Sequence, residues 1–110
     1  MNIELTKDSQ KLLTLLYKDY LQKREKHIPK SDANYFGSSE HIHKNLLPDE
    51  LLEDVAETCR ELSRANMIAC SWADNHAQNV KISDAGIIYM ENRFKNGLYD
   101  VVEFLTKFIP

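Results

Sequence analysis

The stretch from Leu51 to Phe94 reads helix, strand, turn, strand, helix, and that order leaves a 110-residue chain few ways to fold. Leu51–Asn66 carries apolar residues at helical spacing, with Leu52, Val55, Ala56, Cys59 and Leu62 forming one stripe about 100° wide. Met67–Trp72 is a short apolar strand, Ala73–Asn79 a polar turn and Val80–Ile82 a returning strand. Asp74-Asn75-His76 supplies the turn chemistry. Ser83 and Asp84 then cap a helix over Ala85–Phe94, whose Ile87, Ile88, Met90 and Phe94 give it a broad apolar surface. The expected unit is a β-hairpin held between two helices.

The flanking sequence adds helices. Thr6 is placed to cap a first helix, within residues 1–28, that buries Leu12, Leu13, Leu16, Tyr17, Tyr20 and Leu21 and ends before Pro29. Residues 30–39 are rich in turn formers, with Tyr35-Phe36 as a short extended or anchoring pair. Ser38 or Ser39 caps a short helix through Ile42 to Leu46. Pro48, followed by Asp49 and Glu50, is expected to open the next helix in the way the dipole favours. After the Asn96-Gly97 stop, residues 97–109 read as one more helix, apolar over well over half of its circumference.

Composition narrows the class. Apolar content of 43% and charged content of 28% suit a single globular domain spanning 1–110, with a core but no linker or repeat. The net charge of −3 provides no overall basic field to attract phosphates. Neither a long apolar run nor a basic-then-apolar N-terminus occurs, so a membrane span and a secretory signal are not expected. Cys59 and Cys70 lie among apolar neighbours and read as reduced core residues of a cytoplasmic protein.

The segment Val80–Glu91 (Val-Lys-Ile-Ser-Asp-Ala-Gly-Ile-Ile-Tyr-Met-Glu) resembles the strand-then-helix ending common in bacterial winged-helix proteins. With the basic-aromatic helix after Asn-Gly, it is similar to the small, largely uncharacterised YjcQ-like group of bacteria and their phages. The resemblance covers roughly residues 50–108. It implies a mainly α, α+β winged helix, helix-wing-helix over 48–94, with an extra C-terminal helix, and it brings no catalytic residues.

In such a fold the helix from Pro48 to Asn66 takes the recognition position, the one usually laid in the DNA major groove. Here it holds six acids (Asp49, Glu50, Glu53, Asp54, Glu57, Glu61) against Arg60 and Arg64, which gives 2 − 6 = −4. DNA binding draws on Lys and Arg neutralising phosphates, and a helix of that charge would repel them. The face Glu50, Glu53, Asp54, Glu57 and Glu61 is therefore read either as an ordinary solvated surface or as one that meets a basic protein partner. A competing phosphate-contacting surface would combine Lys23, Arg24, Lys26 and Lys30 at the end of the first helix with Asn75, His76, Gln78 and Lys81 in the wing. Basic residues there also complement a helix dipole, and no aromatic is interleaved to stack bases.

His41 and His43, with His27 nearby, sit at i, i+2 and point to different helix faces, and no Cys pair completes a zinc set. No metal, cofactor, phosphate loop or nucleophilic triad is expected. On the terminal helix Leu98, Val101, Leu105 and Phe108 can pack on the domain, leaving Val102, Phe104 and Ile109 for another surface. Leu98, Val102, Phe104, Leu105, Phe108 and Ile109 accordingly define an expected homodimer interface, unless the first helix covers both faces within one chain. The sequence thus points to a non-enzymatic regulator or adaptor acting through its acidic helix. The alternative is a DNA-binding transcriptional regulator using the wing and the basic end of the first helix.

Overall fold

A computed structural model describes residues 3–108. The chain forms α1 (Lys7–Glu25), α2 (Lys30–Ala33), β1 (Tyr35–Gly37), α3 (Ser39–Leu46), α4 (Leu52–Arg64), β2 (Ile68–Ala73), β3 (His76–Ile82), α5 (Asp84–Arg93) and α6 (Leu98–Leu105). The strands make one antiparallel sheet in the order β1-β3-β2. A helix-turn-helix pair followed by a hairpin wing, with a short strand before the pair completing the sheet, is a winged-helix arrangement of the α+β class.

The core lies where α1, α4 and the sheet converge. Leu12, Leu13 and Leu16 of α1 meet Val55, Cys59 and Leu62 of α4, with Val80 and Ile82 from β3, Met90 from α5 and Val101 from α6. The expected stripe of α4 is therefore inside, except that Leu52 at its start is half-buried. Of the apolar residues assigned to α5, Ile88 is instead 57% exposed.

Side-chain caps mark the start of three of the six helices, α1, α3 and α5. The Thr6 hydroxyl accepts from Ser9 N–H at 3.1 Å, Ser38 from His41 N–H at 3.1 Å and Ser83 from Gly86 N–H at 2.9 Å. Helix α4 has no side-chain cap and starts at Leu52, not at Pro48. His43 Nε2 binds the Glu50 carbonyl oxygen at 2.7 Å, and the Glu50 N–H bonds Leu47 O at 3.2 Å. Those bonds hold residues 47–50 as a turn, and Leu51 enters the helix from extended backbone. Pro48 is therefore a turn residue on the surface.

The wing is tighter than its sequence suggests. Asp74 and Asn75 alone form the loop, both left-handed at φ 53° and 65°, which is the geometry of a two-residue hairpin turn. Strand β3 consequently begins at His76, and Asn79, expected in the turn, lies inside it. The positive φ of Asn79 coincides with a shift in register between the Ala69–Lys81 and Ser71–Gln78 pairs, as a bulge requires. Tyr35–Gly37 pairs with β3 as a third strand, and Lys30–Ala33 is a helical turn within the segment read as loop.

At the other end α6 stops at Leu105 and tightens into a 3₁₀ turn over Thr106–Phe108, so residues 97–109 are not one continuous helix. Ile109 lies outside the described residues. Among the described residues, no helix is long and apolar enough to cross a membrane.

Cys59 and Cys70 are both free. Burial, reinforced by neighbouring Cys70, pushes the Cys59 thiol from its ordinary 9.0 up to about 12. Burial raises Cys70 as well, although a Ser63 hydrogen bond and the Arg60 charge act in the opposite direction. A thiol raised on folding stabilises the folded chain fully below its unfolded pKa, and that contribution declines between pH 9.0 and about 12 as the unfolded thiol ionises. We expect Cys70 to react with a disulfide reagent in the native protein at pH 8 while Cys59 stays silent until denaturant is added. Equal rates for both thiols would contradict the buried placement.

Candidate functional site

The surface that the fold offers first is the outer side of α4 with the wing beside it. Glu53, Asp54 and Glu57 are exposed there, and Asp49 adds a fourth carboxylate in the preceding turn. Two acids expected on the same face are engaged elsewhere. Glu61 Oε1 accepts hydrogen bonds from Thr6 Oγ1 and Ser9 Oγ, both at 2.8 Å, so it ties α4 to the cap of α1. Its place is set by a contact 52 residues away in sequence, which helical periodicity does not register. Glu50, outside the helix, pairs with Lys11 at 2.8 Å. Over Leu52–Arg64 the balance is four acids against two bases, 2 − 4 = −2.

Both arginines of the helix lie within reach of one member of that face, Glu57. The Arg60 guanidinium lies 4.1 Å from the centre of the Trp72 ring on β2, within cation–π range. Arg60 and Arg64 approach the Glu57 carboxylate at 3.8 and 3.9 Å. These are long, exposed pairs that stabilise the fold little, but they draw both guanidiniums back toward the helix. The Trp72–Arg60 stack was not legible in the sequence, because it depends on how the strand sits against the helix.

The proposed phosphate-contacting residues are divided by the fold. Lys23 pairs with Asp19 at 2.8 Å, donates to Tyr35 O at 3.3 Å and lies 4.7 Å from the Phe36 ring centre. Lys30 reaches Asp84 at 3.6 Å. Arg24 donates to the Ile28 carbonyl at 3.1 Å. His76 faces the buried Ser39 hydroxyl at 3.5 Å, and that hydroxyl accepts from Ala77 N–H at 3.1 Å, so His76 helps seat the wing on α3. Gln78 is half-buried and, with Lys23, Phe36, His41, Ile42 and Asn45, lines a groove of about 690 Å³ between α1, β1 and α3.

Asn75 occupies the wing tip, whereas Lys81 lies near the base opposite Tyr35. Six residue steps along the strand separate them, about 20 Å at strand rise. Arg24, Lys26 and Lys81 lack a carboxylate partner among the described residues. Those three cations are what survives of that set.

The terminal helix corrects a further expectation. Phe104 is not left over for a second surface. It packs edge-on against Phe94 and Phe108, with centroids 5.5 Å away in each case, and the Arg93 and Lys107 cations lie 4.8 and 5.2 Å from its ring centre. Leu105 packs on the core, and Phe108 is half-buried in a groove with Lys11 and Leu105. What remains open on α6 is Tyr99 at 74%, Val102 at 44% and the half-buried Leu98.

Of the histidines considered as ligands, His43 is committed to the Glu50 carbonyl and His41 lines the groove beside α3. No group of three or more metal-ligating side chains occurs among the described residues. Comparison with protein-family models, curated proteins and solved structures returns no match for the chain.

Proposed function

We propose that the protein is a non-enzymatic regulator or adaptor whose helix-turn-helix contacts a basic surface of a protein partner through Glu53, Asp54 and Glu57. One observation carries this reading: the exposed face of α4 presents Glu53 and Asp54 with no cationic partner among the described residues, beside Glu57, which Arg60 and Arg64 approach only at 3.8 and 3.9 Å. Such a face attracts a cationic protein surface and steers its approach, but repels a duplex that carries one negative charge per about 1.7 Å. Glu50 and Glu61 serve the fold in this scheme, and the contacting set contracts to the other three.

A second reading, a DNA-binding regulator, draws on Arg24, Lys26 and Lys81, whose charges no carboxylate offsets among the described residues. Fluorescence anisotropy of a labelled duplex, at low and at physiological salt, separates the two. Flat anisotropy at low salt is the expected result. Micromolar binding that weakens steeply with salt would overturn the adaptor reading, and alanine at Lys23, Arg24, Lys26 and Lys81 would then locate the contact. For the adaptor reading, an immobilised arginine-rich peptide should retain the protein, and Glu53→Gln with Asp54→Asn and Glu57→Gln should release it.

A further inference from the structure

Strand β2 ends the sheet on one side. Its hydrogen-bonding phase follows from the register. Ser83 N–H donates to Met67 O at 3.1 Å, and from there Ile68 faces Ile82, Ala69 faces Lys81, Ser71 faces Gln78 and Ala73 faces His76. Antiparallel bonding alternates along a strand. The amide and carbonyl groups of Ala69, Ser71 and Ala73 therefore turn to β3, and those of Ile68, Cys70 and Trp72 turn outward. None of these outward groups meets a backbone partner elsewhere among the described residues.

Monomeric proteins blunt such an edge with lysine, proline, an inward charge or a bulge in the edge strand, and the bulge of this sheet has its extra residue on β3. Ile68-Ala69-Cys70-Ser71-Trp72-Ala73 has none of these. On the open side of the sheet its side chains are Ala69, Ser71 and Ala73, all exposed and too short to shield the main chain.

We propose that β2 pairs antiparallel with β2 of a second copy across a two-fold axis at Cys70, joining the two sheets into one. The strand itself selects this occupant. Its outward residues are spaced evenly about Cys70, so Ile68 meets Trp72 of the partner subunit and Cys70 meets its own counterpart, each pair exchanging N–H···O bonds in both directions. Ala69 then faces Ser71 of the partner subunit, a small neutral pair with no like charges opposed. A charged peptide would find no counter-charge on this strand.

Sedimentation equilibrium of the full chain should show the mass rising with concentration from 12.8 kDa toward twice that value. In the same series, amide exchange at Ile68, Cys70 and Trp72 should slow as concentration rises, while other surface amides stay unchanged. Ser71→Lys should weaken association at least tenfold without lowering the melting temperature of the dilute protein, and Ala69→Lys serves if that variant folds poorly. A monomer at every concentration overturns the proposal. So does a dimer that survives both lysine variants, or one that Val102→Glu on α6 dissolves.

Discussion

Lysine at positions 53, 54 and 57 together is expected, on the adaptor reading proposed above, to create an affinity for duplex DNA. The triple variant Glu53→Lys, Asp54→Lys, Glu57→Lys changes the exposed side of α4 by six charges, three removed and three added. Each ammonium that meets a phosphate adds about 0.9 to the slope of log affinity against log salt, so three contribute about 2.7. Raising salt from 50 to 200 mM should then weaken binding about forty-fold. Glu53 and Asp54 also sit in the first turn, where carboxylates favour the helix dipole. Their loss should lower stability by about 1–2 kcal/mol, which a urea melt would register. Anisotropy that stays flat at low salt would mean that α4 cannot reach a groove in this fold. Charge would then not be what bars DNA.

Replacing Gly86 with alanine should cost about 3 kcal/mol, although alanine ordinarily favours a helix by about 1 kcal/mol. A Cβ at this position would overlap the Met67 carbonyl oxygen and stand 3.0 Å from Ile82 Cγ2. The backbone oxygen cannot swing aside, because it accepts the Ser83 N–H at 3.1 Å, and Ser83 Oγ also donates to Asn66 O at 2.6 Å. These bonds hold the start of α5 against the entry to β2. The added methyl must therefore push α5 off the wing or break them. At roughly 4–8 °C per kcal/mol for a domain of this size, the melting temperature should fall by more than about 10 °C. Ala85→Gly, one residue earlier and exposed, is the control and should lose about 1 kcal/mol by propensity alone. An unchanged or higher melting temperature for Gly86→Ala would show that the helix does not approach the strand this closely.

Both predictions concern positions that the sequence located but could not interpret fully. Gly86 was visible as a glycine inside a helix-like pattern; the backbone that crowds it belongs to Met67, 19 residues earlier. Glu53, Asp54, Glu57 and Glu61 share one helix in sequence terms. Only the placement of Thr6 and Ser9 against Glu61 removes it from the solvent face. The same reason accounts for Phe104, whose neighbours Phe94 and Phe108 close around it once α6 yields to a 3₁₀ turn.

Local chemistry was sufficient wherever the determining partner lay within a few residues. The serine and threonine caps, the apolar stripe of α4 and the existence of a hairpin between two helices all follow from short-range backbone needs and period. Tertiary structure decided the rest. A third strand exists because Tyr35–Gly37 finds β3 some 45 residues later, and α4 begins late because His43 takes the Glu50 carbonyl. The basic residues of α1 and the wing tip stay apart because strand length separates base from tip. Hydrophobic period reports which way a residue faces within its own element, whereas its hydrogen-bond and charge partners belong to elements whose distance no local pattern encodes.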